Sequence, residues 1–97
     1  MRVRFAERAI SDLRHIANYI GRYDPAAALR VRSAILDSIA ALSHFPEIGR
    51  TQDLTDVRKL VTRRYPYLIY YRVDVTTDTV VILTIQHPAR DREGADI

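Results

Sequence analysis

Cysteine is absent from the 97 residues of the chain. Its absence excludes disulfide scaffolds, cysteine nucleophiles and thiolate metal sites, so we expect stability to come from packing. The three histidines, His15, His44 and His87, lie far apart in the sequence and lack carboxylates at a consistent metal-ligand spacing. We therefore expect neither a metal site nor a cofactor.

Long apolar runs are absent as well. No stretch of the sequence approaches the roughly 20 apolar residues that a membrane-spanning helix requires. The charged residues Arg2, Arg4, Glu7 and Arg8 stand where a signal peptide has an apolar stretch. We expect a cytoplasmic protein with no membrane partner.

Lysine is scarce, since Lys59 is the one lysine among the 15 basic residues and the others are arginine. Arginine pairs bidentately with phosphate or carboxylate and stacks on nucleic-acid bases. A GC-rich genome also favours arginine codons, so the bias has a second explanation. The formal net charge of +3 suits either an acidic protein partner or nucleic acid.

The length and the 47% content of hydrophobic residues indicate one folded domain covering residues 1–97. A chain of this size buries enough surface for a single core. The segment that follows Pro88 is charged, and we expect residues 89–97 to form a loose tail.

A short strand at Arg2 to Phe5 and a first helix are predicted at the start of the chain. Apolar residues in the helix recur at steps of four, three and four, which is the period of a helix with one buried face. Asp12 lies away from that stripe, and Gly21 is a C-terminal stop signal. The stripe consists of Ala9, Leu13, Ile16 and Ile20.

A second helix is predicted from Asp24 and Pro25, an N-cap carboxylate and a proline at the first helical position, to about Ser43. Beside its main apolar stripe it carries a second apolar face. A helix that is apolar over so much of its surface needs two neighbours. One neighbour is a sheet, and the other is either the first helix or a partner chain. The second face consists of Leu29, Leu36 and Ala40.

Three strands are predicted in the second half of the chain, at Val57 to Val61, Tyr65 to Val73 and Thr79 to Gln86. The polar segment Arg50 to Asp56 is predicted as a loop. The short polar segment Asp74 to Asp78 predicts an antiparallel hairpin. The element order indicates an α+β fold, in which a helical hairpin packs on one face of a small antiparallel sheet.

Short motifs in a fixed order extend over nearly the whole chain. Each is weak alone, but their order and spacing are jointly specific. They are Ala9 with Asp12-Leu13, Ile16 and Tyr19-Ile20, then Asp24-Pro25-Ala26-Ala27-Ala28, then Ile39, Leu42, Pro46 and Gly49, then Val57-Arg58-Lys59-Leu60, the segment from Tyr65 to Val73, and Val81-Ile82-Leu83 through His87 to Arg90.

With these motifs the sequence resembles the RelE/ParE superfamily of toxins from type II toxin–antitoxin systems, and more closely its ParE-like branch. The resemblance implies a toxin held inactive by a labile antitoxin, whose C-terminal segment wraps the toxin. RelE-like members cut messenger RNA in the ribosome, whereas ParE-like members poison DNA gyrase. Either target, gyrase or ribosome, is therefore implied as a partner besides the antitoxin.

A nuclease of this superfamily, working without a metal, needs a base, an acid and cations on the phosphate. The nuclease branch usually has a catalytic arginine directly before the Leu-Val-Tyr-like segment of its long strand. Here Tyr67 stands at that position, before Leu68-Ile69-Tyr70. The departure favours a gyrase poison without chemistry of its own. The nuclease candidates are Arg58, Arg64, His87 and Arg90.

Two alternatives to the gyrase poison remain, a ribosome-dependent endoribonuclease and a non-toxic relative that only binds its antitoxin. All three need an interface with the antitoxin, for which we expect an apolar centre and an arginine rim. For the target we predict contacts from Arg63, Arg64, His87 and Arg90. For the antitoxin we predict contacts from Leu29, Leu36, Ala40, Arg58, Tyr67 and Tyr71.

Overall fold

The computed structural model describes residues 1–88. The predicted tail, 89–97, and with it Arg90, lie outside the described residues. In chain order the elements are β1 (Arg2–Phe5), α1 (Glu7–Gly21), α2 (Pro25–Ala41), β2 (Arg50–Thr51), β3 (Val57–Val61), β4 (Leu68–Asp74) and β5 (Thr79–Gln86).

Both predicted helices are present. The Asp24 side chain accepts a hydrogen bond of 3.1 Å from the backbone N–H of Ala27, and Pro25 begins α2, as the sequence predicts. The helix ends at Ala41, two residues before the predicted end. Within the described part of the chain, no helix is long and apolar enough to cross a membrane.

The α+β fold class is confirmed, with one correction to the sheet. The strand order is β1-β5-β4-β3-β2, and three of the four pairings are antiparallel, but β1 runs parallel to β5. A parallel pair needs a long connection, which the intervening helices and strands provide. The segment predicted as a polar loop contains the two-residue strand β2, which pairs with β3.

The fourth strand begins at Leu68, three residues later than predicted. Tyr65 and Tyr67 belong instead to the turn that precedes it, where the Tyr67 N–H donates to the Tyr65 carbonyl at 2.7 Å. Alternation of aromatic residues predicted a strand here, but Thr62 and Pro66 favour a turn. This difference places the tyrosines at the end of the sheet.

The main core lies between the helical hairpin and the sheet. Ile35 and Leu42 pack there against Ile69 and Ile82, and all four are fully or almost fully buried. Burial of such a side chain stabilises the fold by about 1.5–3 kcal/mol. A smaller cluster covers the other face of the sheet and consists of Val57, Leu68 and Tyr70, with Leu83 packed against it.

The position of Asp12 outside the apolar stripe of α1 predicts a side chain that faces solvent. In the structure this side chain instead contacts β5. Its carboxylate accepts hydrogen bonds from the Thr84 hydroxyl and, at 3.0 Å, from the Ile85 backbone N–H. The pairing of β1 with β5 stops at Ile82, so this N–H lies at an edge that no strand covers. Asp12 supplies the acceptor that a neighbouring strand would otherwise provide.

Candidate functional site

The turn between β3 and β4 is organised by Thr62, whose side chain is 2% exposed. The Thr62 N–H donates to the Tyr67 carbonyl at 3.0 Å, and the Thr62 hydroxyl accepts from the Tyr67 N–H at 2.9 Å and donates to the Tyr65 carbonyl. These bonds close the turn on itself. Arg63 and Arg64 lie at its tip, and both are exposed.

Tyr67 and His87 come together at the same end of the sheet as this turn. The register pairs Leu68 with Gln86, so the residues just outside that pair are neighbours. The two rings meet edge to face, with centroids 5.8 Å apart. We call Arg63, Arg64, Tyr67 and His87 the turn-end cluster.

Burial raises the pKa of the half-buried Tyr67 hydroxyl above its ordinary value. The phenol therefore stays protonated near neutral pH and is a poor proton acceptor. The guanidinium groups of Arg63 and Arg64 can bind carboxylate or phosphate, and the exposed His87 ring offers nitrogen atoms for hydrogen bonds. The cluster is thus equipped to bind an anionic surface.

Arg58 lies elsewhere. Its Nη1 donates to the backbone carbonyls of Glu47 at 3.0 Å and Gly49 at 2.8 Å. In the sheet it pairs with Tyr71, three residue pairs away from the end of β3, or about 10 Å. The structure does not bring Arg58 together with Arg64 and His87, the residues with which we grouped it as nuclease candidates.

Tyr71 is 0% exposed and supports the same loop as Arg58. Its hydroxyl donates to the Pro46 carbonyl at 2.7 Å and accepts from the Gly49 N–H at 2.8 Å. Burial raises the pKa of this hydroxyl, an effect that the bond from Gly49 and the charge of Arg58 partly offset. Tyr71 presents no surface to an antitoxin, so we do not retain it as a contact residue.

The second apolar face of α2 is partly exposed to solvent. Leu29 is 67% exposed, Ala40 is exposed and Leu36 is half-buried. The first helix does not cover Leu29 or Ala40, so both are accessible to a partner chain.

Sequence reasoning missed residues that position the site. Thr62 closes the turn and Gly49 sits against the Tyr71 ring, where a Cβ would lie 2.5 Å from the hydroxyl oxygen. The segment Thr62 to Pro66 between two strands contains residues that favour a turn. The alternation of aromatic residues predicted a strand there instead. No sequence signal marks the close approach of Gly49 to a tyrosine 22 residues later.

Across the described residues, no group of three or more histidine, aspartate or glutamate side chains is arranged to hold a metal ion. The turn-end cluster itself offers two guanidinium groups, an imidazole and an aromatic ring.

Residues 3–92 match the family model of the ParE toxin of the type II toxin–antitoxin system parDE. Among curated proteins, the chain is 39% identical over 83 residues to toxin RelE2 of Caulobacter vibrioides, covering 86% of this chain and 90% of that protein. It is 38% identical over 86 residues to Y4kP of Sinorhizobium fredii, named as a candidate toxin, covering 89% of this chain and 86% of the other.

Solved structures agree on the fold. The toxin–antitoxin complex RelBE2 of Mycobacterium tuberculosis matches at 29% identity and a TM-score of 0.63, covering 89% of this chain and 95% of that one. The chromosomal ParDE system of P. aeruginosa matches at 24% identity and a TM-score of 0.78, covering 90% and 95%. The chain therefore belongs to the ParE toxin family of type II toxin–antitoxin systems.

Proposed function

We propose that this toxin inhibits growth by binding and poisoning DNA gyrase, and that a cognate antitoxin neutralises it. The observation that carries the proposal is Tyr67. A side chain at the position of the nuclease arginine should stabilise phosphate charge, but Tyr67 is a neutral, half-buried phenol that packs against His87. It supplies neither a cation for the phosphate nor a base.

The turn-end cluster is the surface that we propose for gyrase. Arg63 and Arg64 project from a turn that hydrogen bonds hold closed, so their backbone positions are fixed before binding. Preorganised arginines beside aromatic rings are typical of residues that dominate the binding energy of protein interfaces. Arg90, predicted to contact the target as well, lies outside the described residues.

A supercoiling assay with purified toxin and gyrase tests the proposal. We expect loss of supercoiling and accumulation of cleaved DNA in the absence of antitoxin. The double variant R63E/R64E should lose this effect, whereas R14E/R32E, with the same change in charge at exposed helical positions, should retain it. Normal gyrase activity at micromolar toxin contradicts the proposal.

A second candidate function is ribosome-dependent cleavage of messenger RNA, which the exposed His87 at the same end of the sheet as Arg63 and Arg64 favours. Mapping of transcript ends after induction should then show cuts at fixed codon positions, and H87A should abolish them. Full toxicity of H87A without cuts contradicts this candidate. Overexpression without slower growth favours the third, a non-toxic relative.

Two observations support an antitoxin partner for this chain. The matched solved structures of P. aeruginosa and M. tuberculosis are a ParDE system and a RelBE2 complex. The exposed apolar residues Leu29 and Ala40 on α2 are a surface that an amphipathic segment would cover. Copurification of the toxin with the product of its neighbouring gene tests the pairing.

A further inference from the structure

We propose that the sheet face opposite the helices binds the phosphate backbone of duplex DNA through Arg2, Arg4 and Arg72, which we call the arginine patch. Binding of DNA to this patch is measured without gyrase. A role of the patch in holding the DNA of a gyrase complex rests, in addition, on the proposed function.

Strand alternation and register bring the three arginines together on one face. Val3 and Val73 pack against the main core between the sheet and the helices, so their neighbours in β1 and β4 point to the opposite face. Arg4 and Arg72 both pair with Val81 of β5. The patch is therefore assembled from two strands that lie on either side of β5.

The patch is wide enough to contact several phosphates at once. Arg4 and Arg72 lie two strand spacings apart, which is about 10 Å between their Cα atoms. Arg2 lies two residues from Arg4 along β1, or about 7 Å. Each strand of a DNA duplex carries one phosphate in about 3.4 Å of helix axis, so each guanidinium group has a phosphate within its reach.

The charges of the patch are not neutralised within the described part of the protein. All three side chains are exposed, and among residues 1–88 none of them forms an ion pair with a carboxylate. Three like charges at this spacing repel one another, and a polyanion that neutralises them also releases its own counterions. The patch thus favours a partner with closely spaced negative charges.

The residues around the arginines favour a duplex over a single strand. Proteins that bind single strands stack the bases on aromatic side chains. Of the described residues that line the two grooves beside the patch, which include Thr79, Val81 and Leu83, none is aromatic. Tyr70 belongs to the smaller cluster on this face but is 1% exposed. Contacts to backbone phosphates hold a duplex without reading its sequence.

The patch and the turn-end cluster lie at opposite ends of the sheet. Tyr67 directly precedes β4, whereas Arg72 lies near the other end of this strand, four residues after Leu68 or about 13 Å further along. In β5, Val81 lies near the start and His87 follows the end. One surface can therefore contact the enzyme while the other contacts its DNA.

One acidic side chain limits the patch. Asp74 lines the same groove as Arg2 and Arg4, and its carboxylate accepts a hydrogen bond of 3.3 Å from the Thr77 N–H. The negative charge opposes a phosphate at that end, and asparagine can keep the hydrogen bond through its side-chain carbonyl. D74N should therefore strengthen DNA binding, an effect opposite to that of damage to the fold.

Fluorescence anisotropy with a short labelled DNA duplex of arbitrary sequence, and with toxin freed from its antitoxin, tests the proposal. We expect R2Q/R4Q/R72Q to raise the Kd by about tenfold or more and to reduce the slope of log Kd against log salt by about two to three. D74N should lower the Kd by about twofold or more at low salt. The matched control R14Q/R22Q/R32Q removes three exposed arginines of the helical side and should keep the slope of the parent.

Parent-like DNA binding by R2Q/R4Q/R72Q, with circular dichroism confirming its fold, overturns the proposal. A loss of binding confined to R63Q/R64Q does so as well, because it places the DNA at the turn-end cluster. Tighter binding of single-stranded RNA or of polyglutamate than of the duplex overturns the choice of partner.

The proposed target is tested separately. A toxin that leaves gyrase untouched but shows these losses of DNA binding refutes gyrase as the target and not the DNA site. Full poisoning of gyrase by R2Q/R4Q/R72Q contradicts the role of the patch in the gyrase complex.

Discussion

At the scale of single residues, the loop after α2 is held by the side chains of Tyr71 and Arg58. The Tyr71 hydroxyl satisfies the Pro46 carbonyl and the Gly49 N–H, and both of these residues lie outside the helices and strands. Arg58 adds bonds to the carbonyls of Glu47 and Gly49. Two side chains of the sheet thus hold a loop that has no regular structure of its own.

The variant Y71F tests this dependence. Loss of the hydroxyl leaves a buried N–H and a carbonyl without their partner, and we expect the free energy of unfolding to fall by about 1–3 kcal/mol. Urea denaturation measures the change. Y19F is the matched control, because Tyr19 is 65% exposed and should leave stability unaltered. Equal stability of Y71F and the parent would show that water replaces the hydroxyl.

Alkaline pH provides a second test of the same residue. The pKa of the Tyr71 hydroxyl is raised above 10.0 in the folded protein, mainly by burial, and that of Tyr67 is raised as well. Below the unfolded pKa both states hold the proton and stability is unaffected. As the pH rises above about 10, the unfolded state loses its protons first, so stability falls. The unfolding free energy of Y67F/Y71F, measured between about pH 9 and about pH 11, should fall less steeply than that of the parent.

At the scale of elements, the β3–β4 turn decides where the arginines point. The variant T62V keeps the shape of the buried side chain and removes the hydroxyl that bonds to both Tyr65 and Tyr67. We expect a looser turn, seen as faster hydrogen exchange of the Tyr67 amide, and weaker effects on gyrase. T76V, an exposed threonine of the β4–β5 turn, is the control. Unchanged exchange at Tyr67 argues that the backbone alone holds the turn.

Element types followed from the sequence because their signals are local. The Asp24 cap, the proline after it and the unbroken apolar run of β5 each act within a few residues, and the structure reproduces the elements that they predict. The parallel pairing of β1 and the contact of Asp12 with β5 did not follow. Both depend on partners more than 70 residues away, which periodicity does not report.

The sequence also predicted only part of the candidate site. Arg63, Arg64 and His87 were predicted as target contacts and Tyr67 as an antitoxin contact, and the structure places all four at one end of the sheet. Arg58 and Tyr71 were predicted as contact residues on the same grounds, but the pairing register places them beside the loop of Glu47 and Gly49. Register cannot be read from the residue types alone, so the sequence could not separate the two groups.

At the scale of the whole molecule, the positive charge predicts how the antitoxin associates. The net charge is +3, and the exposed Arg63 and Arg64 of the turn-end cluster lie at one end of the sheet. Attraction of an acidic segment should accelerate association, and salt should screen it. Stopped-flow measurements should show an association rate that falls steeply with salt, with a smaller slope for R63E/R64E than for R14E/R32E. Equal slopes contradict electrostatic steering by the turn-end arginines.

The carboxylate of Asp12 has a consequence beyond its own hydrogen bonds. A strand edge with open N–H groups is a template on which other chains assemble into aggregates. By accepting the Ile85 N–H, Asp12 of the first helix occupies a donor of β5 that β1 is too short to cover. We expect this contact to oppose pairing of another chain along that part of the sheet edge.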